Sequence, residues 1–177
     1  LIELLADPEP LVRRTAIQTA VKRFNNEVIY ALIENFNHPS FSAPSMDALV
    51  VIGEKAVPVL ESAFYRSGQS TNTLIRIVQV MGRIGSLRAK DLLWNKIDYP
   101  DKVVVSQVLL ALGNAGFKAG IAQISRIKYA IENDIGDIAW NLNALQSIDS
   151  GETPELERAL QWEIHNDIQH MYMLLAM

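Results

Sequence analysis

The sequence contains no cysteine. That excludes a disulfide framework, a thiolate metal site and a cysteine nucleophile, and it agrees with a reducing, cytoplasmic setting. It also lacks any apolar run near the roughly 18 residues of a membrane span; Val103-Val104-Val105, for example, is broken by Ser106. No direct membrane insertion of this segment is therefore expected. Nor is there a surplus of positive charge. The net charge is −4 and the pI near 5.4, which does not favour general nucleic-acid binding. The balance is uneven: residues 1–100 carry 11 basic and 10 acidic side chains, residues 101–177 carry 5 and 10. No Gly-rich lysine loop, dinucleotide fingerprint or Gly-x-Ser-x-Gly elbow occurs. Neither a signal peptide nor an initiator methionine is present. The chain opens on Leu1-Ile2-Glu3-Leu4-Leu5 and closes on Met171-Tyr172-Met173-Leu174-Leu175-Ala176-Met177, and reads as a piece of a longer chain.

What the sequence does have is apolar side chains, 49% of the total, and they recur with helical period. The periodicity and the turn residues predict helices over 11–24, 27–36, 44–52, 54–65, 73–85, 86–97, 102–116 and 117–133, with a partner over 134–148. Ser150-Gly151-Glu152 reads as a loop. Thr153-Pro154-Glu155 reads as the start of a last helix, since it joins a cap, a proline and an acid at the positive end of the dipole.

One helix and its ending are written more than once. Gly82-Arg83-Ile84-Gly85 returns as Gly113-Asn114-Ala115-Gly116. Five such endings fall at Asn25, Gly53, Gly85, Gly116 and Asp149, 28 to 33 residues apart, a period that suits stacked helical hairpins. Aligned on them, the position one before holds Phe24, Ile52, Ile84, Ala115 and Ile148. Four before stand Val21, Leu49, Met81, Leu112 and Leu145, and five before Ala20, Ala48, Val80, Ala111 and Ala144. These columns are apolar and predict burial. Two before stand Arg23, Val51, Arg83, Asn114 and Ser147, six before Thr19, Asp47, Gln79, Leu110 and Asn143, and nine before Ala16, Pro44, Arg76, Gln107 and Trp140. These columns are mixed and predict an exposed face.

Asp7-Pro8-Glu9-Pro10-Leu11-Val12-Arg13-Arg14, Ile52-Gly53-Glu54-Lys55-Ala56-Val57-Pro58-Val59-Leu60 and Met81-Gly82-Arg83-Ile84-Gly85 resemble HEAT repeats over most of residues 1–149. The resemblance implies one helical hairpin per repeat, second helices lining a concave face, and protein binding on that face. The second copy departs from the pattern, for His38 to Pro44 lacks the usual basic residue after its turn. Leu156–Met177 is similar to the end of HEAT segments that, in some bacterial chains, lie between an ATP/ADP-translocase-like transporter and a cyclic-nucleotide-binding domain. That second resemblance implies a soluble regulatory spacer of a membrane protein.

The best candidate site is a polar ladder. Arg76, Gln79 and Arg83 stand three and four apart on one helix, the columns continue them in Gln107, Asn114 and Asn143, and Arg23 precedes them. Arginine pairs bidentately with carboxylates, which suits a protein-binding surface. An internal ladder of structural hydrogen bonds accounts for the same residues equally well. Trp140, in a mixed column, is a candidate anchor for a partner; Trp94 and Trp162 are expected in the core, and Arg13 in a structural pair with Asp7 or a neighbouring turn. His165 and His170 are five apart, a poor pair for one metal. Glu163, Asp167 and His170 share a face better, and are expected to be a solvated face or a packing contact. No metal and no cofactor are expected.

The expectation is thus an all-α, right-handed α-solenoid (armadillo-like in form), a single HEAT-like domain over 1–177 with about five repeats to residue 149 and a terminal helix over 153–177. Its expected role is that of a non-enzymatic scaffold binding a protein, or another domain of its parent chain. A HEAT-like lyase would need a catalytic acid, and Asp47 is the one carboxylate in the exposed columns. A DNA-binding role would rest on Arg23, Arg76, Arg83, Arg88 and Lys90.

Overall fold

The computed structural model describes residues 1–148 and 153–177, and all regular structure among them is helical. Two compact units form, Leu1–Gly116 and Phe117–Met177. Among the described residues no helix is long and apolar enough to cross a membrane.

The first unit holds α1 (Ile2–Leu5), α2 (Pro10–Ala20), α3 (Asn26–Glu34), α4 (Pro39–Ile52), α5 (Val57–Phe64), α6 (Thr71–Ile84), α7 (Leu87–Trp94) and α8 (Lys102–Asn114). Short polar side chains start α3, α6, α7 and α8 by accepting otherwise orphaned amides. Asn25 accepts from Val28 N at 2.9 Å, Ser70 from Thr73 N at 3.2 Å, Ser86 from Ala89 N at 3.1 Å and Asp101 from Val103 N at 2.9 Å. At the other end α6 stops where Gly85 takes a left-handed φ of 63°, open to glycine without a Cβ penalty.

Helices α2, α4, α6 and α8 pack one on the next, and so do α1, α3, α5 and α7. Two of the columns follow this layering throughout, whereas the one nine before the endings does not, since Ala16 is buried. Ala20, Ala48, Val80 and Ala111, one per copy, are all buried. Arg23, Val51, Arg83 and Asn114, in the column two before the endings, are all exposed.

Three boundaries differ from expectation. Asn25 does not end α2, which stops at Ala20; it caps α3 instead. Pro44 does not start α4 but lies inside it, because His38 Nδ1 accepts from Ser40 N and starts the helix at Pro39. The bond that Pro44 cannot make is the one to the carbonyl of Ser40, an exposed residue of the first turn. The third difference is the largest. Residues 117–133 and 134–148 do not form two helices. One helix, α9, runs unbroken over Ile121–Ser147.

With α10 (Pro154–Leu175), α9 makes up the second unit. The two run antiparallel: Ala119 N donates to the carbonyl of Met177 at 2.9 Å, and Lys118 Nζ to that of Ala176 at 2.9 Å. Asn133-Asp134 resembles a helix end in sequence, but Asp134 is buried, its Oδ2 2.6 Å from His170 Nδ1 on α10. The pair sits at the point where a break was expected, and the helix runs straight through it. The columns of the fifth copy are weaker: Ala144, Leu145 and Ile148 reach only half-burial, against exposed Trp140, Asn143 and Ser147. Asp134 and Asn141 are the buried positions of α9. The ending at Asp149 and the loop at 150–152 fall outside the described residues.

Trp162 is not in the core; it is 56% exposed. The face of α10 that meets α9 is set by Leu160, Asp167 and Leu174, seven apart, and Trp162 points about 200° away from Leu160. Trp94 is half-buried.

Candidate functional site

A shallow groove of about 550 Å³ runs over α4, α6 and α8 in the first unit, lined by Met46, Gln79, Arg83, Gln107, Leu110 and Asn114, with Gly82 and Ala111 also bordering it. Its geometry begins with the buried side of α6. Leu74, Ile77, Val78 and Met81 are buried, and this turns Gln79 and Arg83 to the opposite side. Helices α6 and α8 then approach closely because Gly82 has no side chain. A Cβ at Gly82 would lie 2.6 Å from the Ala111 Cβ and 3.0 Å from its Cα, inside van der Waals contact.

The close approach brings the ladder together. Gln79 Nε2 donates to Gln107 Oε1 at 3.1 Å. Arg83 Nη2 donates to Asp47 Oδ1 at 2.8 Å, joining α6 to α4. Asn114 is exposed one helical turn beyond Leu110, which is itself exposed.

Other sequence candidates lie elsewhere. Arg76 is half-buried, and its guanidinium donates to the backbone carbonyl of Phe36, so it tethers α6 to the turn at Asn35–Asn37. Arg23 borders a separate recess with Leu1, Glu3, Phe24 and Val28. Trp140, 68% exposed, and Asn143, also exposed, stand on α9 in the second unit. Arg13 pairs with Asn35 rather than Asp7: its Nε donates to Asn35 Oδ1 at 2.9 Å, and its guanidinium lies 4.5 Å from the Phe41 ring centre. Arg88 is exposed and Lys90 half-buried on α7. Asp167 is buried, His170 is paired with Asp134, and His165 is exposed. Among the described residues no three His, Asp or Glu side chains are placed to hold a metal ion.

Met46, Gly82, Leu110 and Ala111 were missed as groove residues. Leu110 carried a signal, an apolar residue in an otherwise polar column. Gly82 carried a weaker one, since a glycine three positions before a helix end has no role in ending it.

Chemically the groove is amide-rich and nearly neutral. It offers the donors and acceptors of Gln79, Gln107 and Asn114, one guanidinium already facing a carboxylate, and the apolar ends of Leu110 and Met46. No model of a known protein family matches the chain, and no curated protein matches it, so the chemistry of the groove itself is what bears on function.

Proposed function

We propose that the chain is a non-enzymatic scaffold, a right-handed α-solenoid of HEAT-like hairpins, that binds a protein or another domain of its parent chain along α4, α6 and α8. The observation that carries this reading is the row of Gln79, Gln107 and Asn114 beside exposed Leu110 in one groove. Primary amides match a polypeptide because its backbone offers the same pairing of N–H donor and C=O acceptor. Leu110 and the exposed Val51 supply apolar contact. Arg83 is half-exposed and its pairing with Asp47 is worth little in water, so an incoming carboxylate can replace Asp47 at small cost and gain a bidentate contact.

The same lining weighs against the other classes. Asp47 is already paired with Arg83, and no carboxylate is among the residues that line the groove, so the groove has no acid of its own to work with. For a phosphate backbone, the groove's lining offers a single cation, Arg83, where a polyanion is held by several.

The test is capture from a lysate of the source cell, comparing the unsubstituted chain with a Gln107→Ala/Leu110→Arg variant of equal helicity. A protein held by the first and lost by the second supports the reading. Equal capture by both places the binding surface elsewhere and overturns it.

A further inference from the structure

Helix α9 carries an apolar stripe that its packing on α10 leaves largely exposed, with only Ile131 and Ile138 half-buried. Ile121, Ile124, Lys128, Ile131, Ile135, Ile138 and Leu142 recur at alternating steps of three and four. That is the a/d spacing of a heptad repeat, and it holds along the whole length because α9 is unbroken. The side that α9 turns to α10 is a different one, marked by buried Asp134 and Asn141. The stripe is left open: Ile121 is 90% exposed, and Ile124, Ile135 and Leu142 are exposed as well. On α10 the surface continues. Ile135 and Ile138 border an apolar groove of about 460 Å³ with Ile168, Met171, Tyr172 and Leu175. The hairpin thus buries Asp134, Asn141 and Asp167 beside Leu160 and Leu174 in its seam and leaves several isoleucines exposed outside it.

We propose that this face is where two copies of the chain associate, hairpin against hairpin, in a four-helix arrangement. Size supports it. At 1.5 Å per residue α9 is about 40 Å long, and two packed helices are about 20 Å wide, so the face covers about 800 Å². That is about what each partner contributes to a stable interface of ordinary size. Pattern points to a like partner. The complement of a heptad seam is another heptad seam, whose side chains serve as both knobs and holes, and a twofold contact needs only one such patch. Lys128, the one charge in the stripe, restricts the register as a polar a residue does. A lipid surface fits less well, because helices that lie on membranes are rich in Lys and Arg, whereas residues 117–177 carry 4 basic and 9 acidic side chains.

Sedimentation equilibrium of the full chain is expected to give twice the 19.8 kDa chain mass, with a dissociation constant near ~1 µM. Ile135→Asp and Tyr172→Asp, at side chains exposed within one chain, should each weaken association on the order of 100-fold. Leu87→Asp on α7, where Leu87 is 81% exposed, should leave it unchanged. A monomer up to about 100 µM, dimers that persist in both variants, or dissociation caused by Leu87→Asp overturns the proposal. Hydrogen exchange of the unsubstituted chain gives the same answer without a variant. Protection that rises with concentration in α9 and α10 supports the interface, and a rise confined to residues 1–116 overturns it.

Discussion

Arg83 and Asp47 face each other at 2.8 Å across α6 and α4, with their side chains 48% and 64% exposed. An ion pair so open to water holds the fold weakly. Arg83→Ala is expected to change unfolding free energy by less than about 1 kcal/mol in urea denaturation, and to act on partner binding instead.

Arg76 lies two turns earlier on the same helix and has the opposite assignment. Its guanidinium donates to the carbonyl of Phe36, whose side chain is fully buried. Arg76→Ala should cost about 2 kcal/mol, the range for a hydrogen bond to a charged group, and Arg76→Lys should recover part of it. Urea curves for the Arg76 and Arg83 variants, measured side by side, separate the tether from the groove residue.

Gly82 and Gly113 occupy the same position in successive copies and should respond with opposite sign. At Gly82 an added Cβ meets Ala111 at 2.6 Å, whereas at Gly113 it meets nothing within 4 Å. Helix propensity alone favours alanine at both by up to about 1 kcal/mol. Gly113→Ala should therefore stabilise by about 0.5–1 kcal/mol, and Gly82→Ala should destabilise by about 1–3 kcal/mol. Thermal unfolding of the two variants checks the sign, and a stabilised Gly82→Ala would falsify the close approach of α6 and α8.

Lys96 is buried, its Nζ 4.5 Å and 4.3 Å from the ring centres of Phe64 and Tyr65 and 2.9 Å from the Tyr65 hydroxyl. The aromatic faces and the hydroxyl offset the loss of water around the ammonium. Lys96→Ala leaves a cavity among these rings and should cost about 2–4 kcal/mol. Lys96→Met keeps the length and removes the desolvation cost, and should lie within about 1 kcal/mol of the parent. Comparing the two in urea tells packing from charge.

The candidate site was legible in part. The columns placed Gln79, Arg83, Gln107 and Asn114 on one exposed side because helical period and repeat length together fix which residues stand above one another. They also included Arg76, since column arithmetic cannot see that a long side chain folds back onto the carbonyl of Phe36 forty residues away. Trp140 and Asn143 are exposed as their columns predict, but they stand on α9 in the second unit rather than on α4, α6 or α8.

Local chemistry in the sequence was sufficient for the all-α class and for the buried column of Ala20, Ala48, Val80 and Ala111 in the first four copies. Each depends on residues within a turn or two of one another. What only the tertiary structure decided depends on residues far apart. Asp134 meets His170 within an unbroken α9; Gly82 meets Ala111 beside the groove; and of the two partners open to Arg13, Asp7 or a neighbouring turn, it takes Asn35 in the turn at Asn35–Asn37. In each case the local preference is worth about a kilocalorie or less, and a buried contact between distant residues exceeds it.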